Sequence, residues 1–130
     1  MRPIDEISKE VIGEAIRIHR ELGPGLLESV YVTVLEAALL RKGLLVEKEV
    51  PIDIEYDGMQ FTKAFRIDLL VDGRLVVEVK SIEKLGKSHA KQLLTYLRLT
   101  KQPVGLLLNF SEATMLEGVR RLVNDYRPES

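Results

Sequence analysis

The chain has 130 residues, with 19 Lys and Arg against 20 Asp and Glu and a net charge of −1. Its apolar and charged fractions, 45% and 30%, are those of a globular protein with one core, read as a single domain over residues 1–130. Lack of cysteine excludes disulfides, thiolate metal sites and cysteine nucleophiles, and the near-neutral charge excludes a global basic footprint for nucleic acid.

The first ten residues are charged and lack the apolar centre of a signal peptide. No apolar run approaches the about 20 residues needed to span a bilayer. A cytoplasmic location without a membrane partner is therefore expected.

Asp5 to Leu22 reads as a helix. Ile7, Val11, Ala15, Ile18 and Leu22 recur at steps of three and four, which makes one buried stripe. Gly23-Pro24-Gly25 ends it, because glycine can take a left-handed cap and proline forbids continuation. A second helix is expected from Leu26 to Lys42, stopping at Gly43. Glu28 falls in its first turn, where the helix dipole favours a negative charge. Tyr31 is one turn on and shares the face of Glu28; it either bonds the carboxylate or packs.

Leu44 to Tyr56 alternates. Val46, Val50, Ile52, Ile54 and Tyr56 share one face, with Lys48 the exception, and Glu47, Glu49, Asp53 and Glu55 share the other. This is a strand with one wet face. Asp57-Gly58 is a two-residue hairpin signal, which sets Ile54 opposite Phe61 and Val50 opposite Phe65. In the next strand the apolar set is odd-numbered: Phe61, Phe65, Ile67, Leu69 and Val71. In the strand after it the set is odd again: Leu75, Val77 and Val79. Paired residues share a face, so odd must pair with odd. A three-residue loop, Val71-Asp72-Gly73, achieves this and sets Leu69 opposite Leu75, Ile67 opposite Val77 and Phe65 opposite Val79. Asp68, Glu78 and Lys80 then share the other face.

Asp, Glu and Lys are poor strand formers. Three together are either an ordinary charged hairpin face or a hard-cation site. Mg²⁺ takes one or two carboxylates, keeps several waters and leaves room for phosphate.

A third helix is expected from Lys84 to Thr100, with Leu85, Ala90, Leu93, Leu97 and Thr100 facing the core. Lys84, Lys87, Lys91 and Arg98 form a stripe on its far side. The stripe is a solvated face or a ridge that contacts phosphates. Gln92 and Tyr96 lie four apart at the edge of the core arc, and His89 lies one turn before Gln92. Val104 to Phe110 is almost wholly apolar, as in a central strand covered on both faces and parallel to the Glu78 strand. Ser111 is expected to cap a last helix that buries Met115, Leu116, Val119, Leu122 and Val123. Asn124 to Ser130 reads as a polar tail.

Asp68 followed by Glu78-Val79-Lys80 on the next strand resembles the PD-(D/E)xK nuclease superfamily. Gly25-Leu26-Leu27-Glu28-Ser29-Val30-Tyr31 carries a G-x-x-E-x-x-Y signature. Together they resemble the GxxExxY protein family of that superfamily, over about Ile12 to Val123. Ile67 stands where the superfamily name has proline. The resemblance implies an α/β fold with a mixed sheet: a restriction-endonuclease-like αβββαβ core with an extra N-terminal and an extra C-terminal helix. It implies a nuclease that uses Mg²⁺ or Mn²⁺, with catalytic Glu28, Asp68, Glu78 and Lys80. Asp68, Glu78 and the Val79 carbonyl would hold the metal, joined by Glu28 directly or through water. Gln92 and Tyr96 resemble a further motif that supports the site and approaches the nucleic-acid backbone, with Tyr31 and His89 as secondary residues. The expected partner is nucleic acid, DNA before RNA, with a homodimer or a partner protein. The rival reading is a non-catalytic nucleic-acid- or protein-binding module on the same fold.

Overall fold

The computed structural model describes residues 2–126. Two helices come first, α1 (Ile4–Leu22) and α2 (Glu28–Arg41). Three strands follow, β1 (Val46–Tyr56), β2 (Met59–Val71) and β3 (Leu75–Lys80), then α3 (Lys87–Thr100). The chain closes with β4 (Val104–Asn109), a 3₁₀ turn (Leu116–Gly118) and β5 (Val119–Val123). The five strands form one mixed sheet in the order β1-β2-β3-β4-β5. The β3–β4 pair is parallel, as the crossover through α3 requires. Among the described residues no helix is long and apolar enough to cross a membrane.

One face of the sheet is covered by α1 and α2. Ile7, Val11, Ala15 and Ile18 of α1 and Leu35 and Leu39 of α2 pack on Leu69, Val77, Leu106 and Leu108. The other face is covered by α3, whose Leu93 and Leu97 meet Ile67, Val76 and Leu107. β4 is buried along its whole length between these layers.

Four expectations need correction. The loop between β2 and β3 is Asp72-Gly73-Arg74, one residue later than expected. Asp72 (φ 52) and Gly73 (φ 65) both take left-handed backbone, and the Arg74 N–H closes the turn on the Val71 carbonyl at 3.1 Å. Odd still pairs with odd, but Leu69 lies opposite Val77 and Val71 opposite Leu75.

The arm made by β1 and β2 keeps Ile54 opposite Phe61, yet Val50 faces Ile67 and Ile52 faces Phe65. A bulge between these registers absorbs the difference. There Lys63 is left-handed (φ 53), and its N–H is caught by the Asp53 carboxylate at 2.7 Å. The apolar side chains of the arm also change face. Val46 and Leu69 pack toward α2, whereas Val50, Ile52, Phe65 and Ile67 pack toward α3. The change falls at left-handed Glu49 (φ 55), which is left out of the ladder. Lys48 stops being an exception: its ammonium reaches Glu36 of α2 at 3.6 Å.

The expected last helix is instead the 3₁₀ turn and β5, which pairs antiparallel with β4. β4 would otherwise present a row of unpaired N–H and C=O groups, and pairing them outweighs a weak helical pattern. The expected polar tail runs past the described residues at 127–130.

Helix α3 begins at Lys87, because Gly86 takes extended backbone before it (ψ 169). Lys84 therefore sits in a loop rather than on the helix.

Candidate active site

The β2–β3 ladder holds only three pairs, Leu69–Val77, Leu70–Val76 and Val71–Leu75. The next backbone donors go to side chains. Val79 donates its N–H to Asp68 Oδ2 at 2.8 Å, and Asp68 donates its own to Glu78 Oε1 at 3.2 Å. The strands separate here, and each carboxylate binds the backbone of the opposite strand across the opening. Within a strand the N–H and C=O of one residue share an edge. The Val79 carbonyl therefore faces the same opening.

Glu78 is buried, with 5% of its surface exposed. Burial, followed by the charge of Asp68, pushes its carboxyl from an ordinary 4.5 up to about 8, against the opposing pull of the Lys80 ammonium. Lys80 is the next even residue along β3, so it projects to the same face. The Tyr96 phenol is also pushed up, first by burial and then by the charges of Glu78 and Asp68. Tyr96 is held there by Phe65, whose ring stacks on it at 4.1 Å and 8°.

A profile of the PD-(D/E)XK nuclease superfamily matches residues 5–122. The chain belongs to that superfamily. Searches of curated proteins and of solved structures returned no match. PD-(D/E)XK nucleases generally use divalent metals.

The residues of this superfamily member fit such an ion. Two carboxylates held side by side, Glu78 buried and Asp68 half-buried, repel each other, and a cation between them removes that cost. Two carboxylates and a backbone carbonyl are hard oxygen donors of the kind Mg²⁺ accepts. Among the described residues no three His, Cys, Asp or Glu side chains converge closely enough to hold a metal. Glu28 does not join Asp68 and Glu78 in such a cluster. It opens α2, lies exposed, and accepts the Ser81 N–H at 3.3 Å.

The G-x-x-E-x-x-Y stretch explains how Glu28 gets there. Gly25 supplies left-handed backbone (φ 103) in the loop before α2. Helical side chains lean toward the helix N-terminus, and Tyr31 reaches back under that loop. Its hydroxyl donates to the Gly23 carbonyl at 2.5 Å and accepts the Leu26 N–H at 3.2 Å. Its ring is fully buried and stacks on Phe110 at 4.3 Å. Tyr31 makes no bond to Glu28; it fixes the loop that presents Glu28.

The other expected residues are less central. His89 caps α3, its Nδ1 accepting the Gly86 N–H at 3.0 Å. Gln92 is exposed, and its side chain makes no hydrogen bond among the described residues. Lys84, Lys87, Lys91 and Arg98 are exposed around and along α3.

Two supporting residues escape a reading by motif. Asn109 is fully buried where β4 ends, beside Lys80 in the register. Its carboxamide accepts the Ile82 N–H at 3.1 Å and donates to the Ile82 carbonyl at 2.9 Å, clasping the chain just after Lys80. Ser81 Oγ donates to the Leu26 carbonyl at 2.8 Å and so joins that clasp to the Glu28 loop. A lone Asn at the end of an apolar strand was the available signal, since a buried amide needs partners.

Proposed function

We propose that this chain is a divalent-metal-dependent nuclease that hydrolyses phosphodiester bonds, in DNA before RNA, through a single domain of the GxxExxY type. The observation that carries the reading is the pairing of half-buried Asp68 with buried Glu78 in the opening between β2 and β3, with Lys80 beside it. Asp68, Glu78 and the Val79 carbonyl would hold Mg²⁺ or Mn²⁺, with Glu28 reaching it through water. When bound, such an ion supplies Lewis-acid polarisation and a lowered pKa for water. Lys80 orients the attacking water and stabilises the negative charge that builds on the phosphoryl oxygens. Tyr96 stands beside the carboxylate pair, ready to meet the sugar–phosphate backbone. Lys84, Lys87, Lys91 and Arg98 offer a ridge for more distant phosphates.

The test is cleavage of plasmid, linear duplex, single-stranded DNA and structured RNA with Mg²⁺, Mn²⁺ or EDTA. Wild type is expected to cleave only with metal. Lys80→Ala is expected to lose about 10²–10⁴-fold of that rate, the range for a group that handles a proton or charge in the transition state. Equal cleavage by the variant would remove Lys80 from the mechanism. Metal binding without cleavage would favour the binding module.

The reading includes association with a second copy or a partner protein. Ile54, Tyr56, Met59 and Phe61 share one face at the tip of the β1–β2 arm, and Tyr56 is 72% exposed. Such an apolar face marks an interaction surface. Equilibrium sedimentation at tens of micromolar is expected to show a dimer; a clean monomer counts against self-association.

A further inference from the structure

The sequence breaks two local rules at Leu27. It is the N-cap of α2, and its side chain makes no capping hydrogen bond. Ser, Thr, Asp and Asn are preferred there, and leucine ranks near the bottom. Leu27 is also 74% exposed, with Leu26 beside it at 39%. Neither the helix nor the core gains from this leucine. Residues that contradict local preference without helping the fold mark functional positions.

Leu27 stands in a groove of about 450 Å³ lined by Leu26, Leu27, Glu28, Ser29, Ser81 and Ile82. That volume suits a small ligand or one unit of a polymer. The groove includes Glu28 and Ser81, and Ser81 follows directly on Lys80 at the end of β3. Its walls are fixed. Tyr31 holds the Leu26 N–H, Ser81 Oγ holds the Leu26 carbonyl, and the Ser81 N–H holds Glu28. Among the described residues no lysine or arginine lines it, and its one charge is the Glu28 carboxylate. A phosphate would be repelled. A flat, uncharged group with donors and acceptors on its edge suits it better: the leucines and Ile82 offer apolar surface, and Ser29 offers a hydroxyl.

We propose that this groove is a nucleobase subsite. It holds the base of the nucleotide adjoining the phosphate at Asp68, Glu78 and Lys80, lifted out of its stack. The proposal rests on the reading of the chain as a protein that acts on nucleic acid. Extracting a base from a duplex costs a few kcal/mol and costs least in an unpaired strand. Single-stranded or frayed substrates are therefore preferred over intact duplex, and Leu27 is the contact that sets this preference.

The test uses single-stranded DNA oligonucleotides that carry 2-aminopurine, bound with Mg²⁺ to the Lys80→Ala protein. Because no aromatic side chain among the described residues lines the groove, an unstacked 2-aminopurine is expected to brighten on binding. Adding Leu27→Ser is expected to abolish the brightening and weaken binding at least fivefold. Leu27→Met is expected to keep both. The slope of affinity against salt should not change, because no phosphate contact is lost. Leu27→Ser should also melt at a higher temperature, since serine caps the helix. Binding down while stability rises separates a subsite from a structural role. If Leu27→Ser binds and brightens like its parent, the subsite is overturned. Wild-type cleavage, scored separately, decides the nuclease reading. An oligonucleotide that does not bind the parent protein overturns the subsite and leaves the nuclease reading to the cleavage assay.

Discussion

Glu78→Gln is expected to make the metal-free protein more stable at about pH 8 and, at the same time, to remove metal-dependent cleavage. The amide keeps the shape of the side chain and can still accept the Asp68 N–H that Glu78 accepts at 3.2 Å. What it removes is a buried charge beside a like charge. Burial and then Asp68 raise the Glu78 carboxyl in the folded chain from 4.5 to about 8. Between these values the folded state binds more protons than the unfolded one, so stability falls as pH rises. The Glu78 contribution is fully present below about 4.5 and is gone above about 8. Thermal melts in EDTA should therefore show wild type losing stability across this window and Glu78→Gln losing less. Mg²⁺ should raise the wild-type midpoint at about pH 8 by ordinary linkage and leave the variant unmoved. Cleavage should fall by about 10³-fold, as when a group that stabilises transition-state charge is lost. A variant that melts below wild type in EDTA at about pH 8, with the same pH slope, would show that the pair is held by structure rather than poised for a cation.

This opposition of stability and activity accounts for what could be read from the chain. The elements that bury an apolar face follow their periodicity. Ile7, Val11, Ala15 and Ile18 gave α1, and the even placement of Glu78 and Lys80 among Leu75, Val77 and Val79 put both on one face. Asp68 and Glu78 were visible because strands avoid such residues. Their geometry was not. The three-pair ladder and the crossed carboxylate bonds depend on where the Asp72-Gly73-Arg74 turn closes, and one residue of slip moves every pair. Nor could the pattern of the arm reveal its change of face, since left-handed Glu49 leaves the alternation of residue types intact. Tyr31 was placed near Glu28 by helical spacing, but spacing does not say which of two neighbours a hydroxyl will choose. β5 was misread because Val119, Leu122 and Val123 suit a helix face as well as a strand. The open edge of β4, a tertiary fact, decided between them.

Gly118→Ala is expected to produce the largest loss of stability of any glycine-to-alanine change in this chain. Gly118 is buried at the end of the 3₁₀ turn, just before β5. A Cβ there would run into the carbonyl oxygen of Asn109, and it would also press on the Asn109 carbonyl carbon at 3.1 Å. Both are backbone atoms, so no rotamer change relieves the clash. Asn109 is the less able to move. It is fully buried, paired with Lys80, and its carboxamide clasps Ile82. The 3₁₀ turn and β5 must give way instead, on an edge where β5 is only half-buried. Forcing a methyl group into a well-packed site costs about 3 kcal/mol at the upper end of the usual range, which lowers Tm by roughly 10 °C for a chain of this size. Because β5 moves and the Lys80–Asn109 pair does not, the variant should retain its cleavage rate per folded molecule well below its midpoint. Urea unfolding and a cleavage assay on the same sample test the two halves. Wild-type stability would mean that β5 sits further from β4 than its backbone approach indicates. Lost cleavage at full folding would mean that the end of β4 yields first, and that the clasp of Asn109 on Ile82 is what keeps Lys80 in place.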